Sequence, residues 1–254
     1  MLIFRVYRQF ILVILFLSIT ISTSFADINF DNSVGAVIQI SIFGKISPND
    51  SKELAQAISD LKRNYNKKIV LLVRLDTNGG NVEASLDIGK MLRKEEATAV
   101  VGDDAVCLSS CVLILAGAPY RTIAGRVGIH RPYMPNDTNT SVKLQKQKYS
   151  NLGKVVRKYL VDMNVQPKLY DDMVYISPEN VKILSAENLT SYGLNGNDPY
   201  FDEANASKEA QKAGLSRIEY SRRQSRAISE CNEMNGGNVN DFGRCYQDIM
   251  QGRR

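Results

Sequence analysis

The 254-residue chain has one histidine, four cysteines and, beyond its N-terminus, no apolar stretch that suggests a membrane span. Each scarcity excludes something. One histidine with cysteines at 107, 111, 231 and 245 does not make a tetrahedral ligand set, so no zinc site is expected, and no other metal or cofactor is implied. No compact segment concentrates Lys and Arg with interleaved aromatics, which argues against nucleic acid as a partner. A run such as Arg222, Arg223 and Arg226 reads instead as a solvated helix face. There is no internal repeat and no low-complexity tract. With 44% hydrophobic residues the chain can build one sizeable core.

What the N-terminus does have is Arg5 and Arg8 ahead of an apolar run from Phe10 to Ile21, then Ser24-Phe25-Ala26. This reads as a secretory signal peptide over residues 1–26, cleaved after Ala26, because about a dozen apolar residues fall short of the roughly 20 that span a bilayer. A periplasmic or secreted protein is expected; the membrane enters only if the segment stays uncleaved as an anchor. Cleavage removes two arginines and no acid, taking the formal charge from +5 to +3. Export also permits disulfides. Of the three possible pairings, proximity favours Cys107 with Cys111 and Cys231 with Cys245, the second closing a loop around Asn235-Gly236-Gly237-Asn238.

Along residues 27–200 the pattern alternates. After a short polar lead, Ala36–Phe43 is β-branched and apolar, and Ser51 caps a helix carrying Leu54, Ala57, Ile58 and Leu61 at helical spacing. Strands over Ile69–Leu75, Ala97–Val101, Tyr120–Ile123 and Val127–His130 follow, with helices over Val82–Arg93, Val142–Met163, Pro167–Met173 and Ala186–Tyr192. Strands separated by helices of this length imply crossover connections and a largely parallel sheet, hence an α/β fold. Residues 201–254 read as a charged helical extension holding the second cysteine pair.

Three local features bear on chemistry. Asn78-Gly79-Gly80 ends an apolar strand and exposes bare backbone N–H groups, although a plain strand-to-helix turn has the same appearance. Ser109 stands where a strand hands over to an apolar helix, a place that suits either a nucleophile or an ordinary N-cap. His130, in Gly128-Ile129-His130-Arg131-Pro132, is the only imidazole and so the natural general base near neutral pH.

In this order the features resemble the Clp protease proteolytic subunit within the crotonase-like superfamily, and more closely its exported, ATPase-free bacterial relatives. The matching stretches are Asp76-Thr77-Asn78-Gly79-Gly80, Cys107-Leu108-Ser109-Ser110-Cys111, Leu115-Ala116-Gly117-Ala118, Gly128-Ile129-His130-Arg131-Pro132, and Leu184-Ser185-Ala186 through Tyr192-Gly193-Leu194. The resemblance implies stacked ββα units and an exported, ATP-independent serine peptidase acting on polypeptide substrates. It makes Ser109 the nucleophile, with Ser110 as its rival, and His130 the base. The oxyanion hole would be the N–H of Ser110 with that of Gly79 or Gly80. A homo-oligomer is implied, without an ATPase partner. The sequence departs from the family at the third catalytic position, where Val181 replaces an aspartate. Glu179 and Asn180 stand just ahead; the Asn180 amide is the nearest substitute, and a carboxylate from Asp171 or Asp172 is the alternative. Loss of the aspartate leaves open a non-catalytic binding or assembly protein. Acyl-CoA chemistry is disfavoured by export, and a serine–lysine dyad lacks an identifiable lysine.

Overall fold

The computed structural model describes residues 27–34, 37–64, 69–133, 141–234 and 239–254. The expected signal segment and the Asn235–Asn238 loop lie outside them. Among the described residues no helix is long and apolar enough to cross a membrane.

The expected α/β class is what the chain adopts. Strand β2 (Val37–Ile46) pairs in parallel with β3 (Val70–Gly80), and helix α1 (Asp50–Asn64) makes the crossover. Alternating burial along β2, with Ile38, Ile40 and Ile42 inward, matches a strand with one face on the core. The polar lead is itself a strand, β1 (Asp27–Val34), antiparallel to β2 at the sheet edge. Its mixed polar sequence hides that role, since an edge strand gains its pairing from the neighbour rather than from its own apolar content. The first helix also begins earlier than the Ser51 cap predicts. Asp50 is buried and accepts from the Ser47 N–H at 2.8 Å and from the Ser47 hydroxyl, so the chain turns two residues sooner.

Beyond β3 the sheet forks. Leu72–Arg74 of β3 pair with β4 (Thr98–Val101), which continues to β6 (Tyr120–Ile123), whereas Thr77 near the far end of β3 pairs with Cys107 of β5 (Val106–Leu108). Strand β5 in turn pairs in parallel with β7 (Arg126–Ile129), and the short strand β8 (Lys182–Ile183) closes that branch antiparallel to β7. All these pairings except β1–β2 and β7–β8 are parallel.

The core centres on α3 (Cys111–Gly117), whose seven residues are all buried. It crosses α2 (Val82–Lys94) where Gly117 meets Gly89, so closely that a Cβ on Gly117 would lie 2.3 Å from the Gly89 carbonyl oxygen. Tyr159, on α4 (Val142–Asp162), packs into the same crossing and donates its hydroxyl to Leu113 O at 2.7 Å. At the C-terminal end of α3 the buried Arg121 guanidinium donates to Leu115 O, Ala116 O and Gly193 O. The first two bonds satisfy carbonyls that the helix itself leaves unpaired. Burial pulls that guanidinium down to about 10, against partial compensation by Asp198. Helix α3 is thus fixed at its far end, which steadies the turn that precedes it.

After α5 (Lys168–Tyr175) and α6 (Ala186–Tyr192) the main core ends at Leu194. Helices α7 (Pro199–Lys212), α8 (Arg217–Met234) and α9 (Val239–Met250) follow, and α8 and α9 enclose a separate small cluster of Ala227, Cys231, Cys245 and Ile249. The Cys231–Cys245 disulfide joins them.

Candidate active site

Strands β3, β5 and β7 are parallel neighbours, so their C-terminal ends emerge side by side. Those ends carry Gly79-Gly80, Ser109-Ser110 and His130. Outside the carboxyl ends of parallel strands is where ligands bind in open α/β sheets.

The β3 end is shaped by a bulge. The register passes from Gly44–Thr77 to Lys45–Gly79, leaving Asn78 as the extra residue. Gly79 then takes φ +89°, and a Cβ there would lie 2.7 Å from Leu108 O, 2.8 Å from the Ser109 Cβ and 2.9 Å from Ser110 N. The serine turn therefore packs directly on bare glycine backbone. Gly80 is bare for another reason, since its Cβ would meet Ile46 O at 2.2 Å.

At the end of β5, the Ser109 N–H still donates to Gly128 O at 2.9 Å, one step beyond the last ladder pair, Leu108–Gly128. Its φ is +57°, in the left-handed region that residues with a Cβ seldom occupy. Ser110 is already helical at φ −65°, ψ −17°, and α3 begins at the next residue. The strand becomes a helix at one residue, Ser109, whose side chain is half-buried.

The two serines have different surroundings. Ser110 is 2% exposed, and its hydroxyl accepts the Gly80 N–H at 2.8 Å. Ser110, not Ser109, is the residue that precedes the helix, and it makes no capping bond through its side chain. The N-cap reading of Ser109 is thus not how that residue is used. The Gly79 N–H donates to the Thr77 hydroxyl at 3.0 Å, and that hydroxyl donates onward to Gly44 O. Both glycine N–H groups of the expected oxyanion hole are accordingly bonded to buried hydroxyls.

His130 follows β7 directly. Its Nδ1 lies 2.9 Å from Arg131 O. A carbonyl only accepts, so this bond puts the ring proton on Nδ1 and leaves the Nε2 lone pair of the neutral imidazole available. Arg131 N–H donates to Ile176 O at 2.9 Å, which ties the strand end to the segment after α5.

The third position is occupied by an apolar residue. Strands β7 and β8 pair Gly128 with Ile183 and Ile129 with Lys182, and the ladder ends there, just before His130 on one side and just after Val181 on the other. A Cβ on Gly128 would lie 2.7 Å from Val181 Cγ1, so Val181 covers the face on which strand alternation also places His130. Asn180 is exposed, its N–H donates to Ser177 O, and among the described residues it makes no bond to His130. Asp171 pairs with Arg157 at 2.6 Å and Asp172 with Lys168 at 2.6 Å, the latter also accepting from the Tyr192 hydroxyl. Neither carboxylate attends the imidazole.

The Cys107–Cys111 disulfide spans the serine turn, both residues being fully buried. This pair and Cys231–Cys245 are the pairings that proximity favours. The hydroxyl bonds of Thr77 and the bulge at Asn78 are the elements of the site that the sequence does not signal, whereas Val181 is marked in the sequence by its spacing from Leu184-Ser185-Ala186.

No family model matches the chain, and no curated protein does. Among solved structures it is similar to a serine-to-alanine mutant of the 1510-N membrane-bound stomatin-specific protease. The identity is 17% with a TM-score of 0.46, over 62% of this chain and 75% of that one. It is similar also to an asparagine-to-aspartate mutant of ClpP1 from Listeria monocytogenes, at 16% identity and a TM-score of 0.48, over 61% of this chain and 87% of that one. These are likenesses of backbone alone.

Proposed function

We propose that the chain is an exported serine hydrolase that cleaves polypeptides, with Ser109 as nucleophile and His130 as general base. The observation that carries this reading is the left-handed turn at Ser109, which interrupts an otherwise regular strand-to-helix passage beside the strand that His130 follows. A residue held in a disfavoured conformation at the mouth of a sheet points to function more than to folding. Ser110 is the weaker nucleophile because its hydroxyl is buried and already accepts a bond.

In this reaction the Ser109 Oγ attacks the substrate carbonyl carbon while His130 Nε2 takes the hydroxyl proton. The oxyanion is met by the Ser110 N–H, which precedes α3 and has no helical acceptor. Gly79 or Gly80 supplies a second donor by exchanging its present hydroxyl partner for the oxyanion. The tetrahedral intermediate collapses, the leaving amine takes the proton from Nε2, and water releases the acyl group by the same steps reversed. The imidazolium formed on the way is faced by the Arg131 carbonyl instead of a carboxylate, so the proposed enzyme is slow relative to a full triad. Substrates are short, unfolded or membrane-shed chains, taken without an ATPase, and the working form is a homo-oligomer outside the cytoplasm.

A second reading, a non-catalytic binding or assembly protein, is favoured by one observation, the apolar Val181 packed over Gly128 where the family has an aspartate. Hydrolysis of labelled casein and of an activated ester by the mature protein separates the two. Turnover that disappears in Ser109→Ala and falls about 10²–10⁴-fold in His130→Ala is the expected result. No turnover above the Ser109→Ala level favours the binding protein.

A further inference from the structure

We infer that the Cys107–Cys111 disulfide is a latch for the nucleophile: it holds Ser109 in its left-handed conformation, so that Ser109 becomes reactive only once the bond has closed. The inference rests on the role proposed for Ser109 and adds a condition on it.

Ser109 sits midway between the two cysteines, two residues from each. Cys107 is held on β5 by pairing on both sides, with Thr77 of β3 and Val127 of β7. Cys111 is the first residue of the buried helix α3. An extended path between them would span roughly 13 Å at the rise of a strand, whereas their Cα atoms are 5.2 Å apart. The closed bond therefore demands that the chain reverse within four residues. Leu108 is still in the ladder and Ser110 is already helical, so the reversal falls on Ser109. Without the bond the turn keeps its packing on Gly79 and its hydrogen bonds, Ser109 N–H to Gly128 O, Gly80 N–H to Ser110 Oγ, and Val112 N–H and Leu113 N–H to the Ser109 and Ser110 carbonyls, but no covalent tie fixes φ at Ser109. The backbone of Ser109 is then able to relax to the ordinary region for a residue with a Cβ, which reorients its hydroxyl.

Both sulfurs belong to fully buried residues, so a soluble thiol reaches them only after the turn has opened. The bond is accordingly made once rather than cycled. Closure removes two electrons and two protons from the thiols, passed to an external disulfide that becomes a dithiol. A chain that has not yet met such an oxidant carries an unlatched Ser109. The second disulfide, in the α8–α9 hairpin, has no such relation to the site.

The test compares three oxidised, purified mature proteins: wild type, Cys107→Ala/Cys111→Ala, and Cys231→Ala/Cys245→Ala. The rate of reaction with a fluorophosphonate is measured from low to saturating probe, well below each melting temperature, together with the crystal structure of the first variant. The latch predicts a saturating rate at least tenfold lower in Cys107→Ala/Cys111→Ala, with the half-saturating concentration little changed. It predicts no such loss in the hairpin variant and a Ser109 φ that is no longer positive. An unchanged rate per folded molecule, or a retained positive φ, overturns it. Should the alanine pair not fold, Cys107→Val/Cys111→Ala refills the buried volume and carries the same measurements. If wild type itself does not react, the proposed hydrolase falls, while the Ser109 conformation still decides the latch.

Discussion

Replacing Val181 by aspartate should raise activity. The β7–β8 ladder ends at Ile129–Lys182, and one more step of the same register would set residue 181 opposite His130, where directly opposed residues have Cβ atoms about 4.5–5.5 Å apart. A carboxylate at that position reaches the imidazole edge and competes with Arg131 O for the Nδ1 proton. Two unit charges about 4 Å apart attract by about 4 kcal/mol at an effective dielectric near 20. Val181 is 41% exposed, so solvent screening reduces this to about 1–2 kcal/mol. Since about 1.4 kcal/mol is a factor of ten in rate, kcat/KM should rise roughly fivefold to thirtyfold in Val181→Asp. Val181→Asn should give less, because it lacks the charge that favours the imidazolium. Ester hydrolysis measured alongside the melting temperature is the assay. A Val181→Asp protein that folds as the wild type does but shows an unchanged or lower kcat/KM refutes the placement of residue 181 beside the base.

Other consequences follow from particular contacts. Ser110→Ala removes the acceptor of the Gly80 N–H in a buried place, so stability should fall by about 1–3 kcal/mol in urea unfolding while Ser109 still reacts with probe. Gly79→Ala puts a Cβ at φ +89° against Leu108 O and the Ser109 Cβ, and should abolish labelling even where circular dichroism shows a folded protein. Asp198 is buried, and burial raises its carboxyl. Hydrogen bonds from Arg93, Asn164 and the Phe201 N–H outweigh that and hold it below its ordinary value. A depressed folded value gives stability that is complete above the unfolded carboxyl value of about 3.9 and is lost as the pH falls through the folded one. The melting temperature should therefore drop below about pH 4, and Asp198→Asn, already less stable at neutral pH, should show a smaller drop.

How much of this was legible in the sequence depended on whether a residue's role is local. Ala186–Tyr192 and the start of α4 at Val142 match their expected bounds because helical spacing and the caps at Ser185 and Ser141 are written within a few residues. The parallel sheet followed from alternation alone. Strands β1 and β8 were not legible, since each is set by pairing with a distant partner and neither has a strong apolar pattern. In the site, Ser109 and His130 stood out by residue type and order, and the ends of β5 and β7 bring them onto neighbouring strands. The bonds that hold the glycine N–H groups were hidden, because Thr77 and Ser110 act through contacts across strands. Asn180 was chosen for its closeness in sequence to the missing aspartate, but it is exposed with its N–H on Ser177 O, and it is Val181 that packs over Gly128.

The central claim is that Ser109 is an activated nucleophile. Its most direct test is to treat the mature protein with a fluorophosphonate and identify the modified peptide by mass spectrometry. The account predicts a single adduct on Ser109, lost in Ser109→Ala, retained in Ser110→Ala and strongly slowed in His130→Ala. An adduct on Ser110, or no adduct across a range of pH, contradicts it.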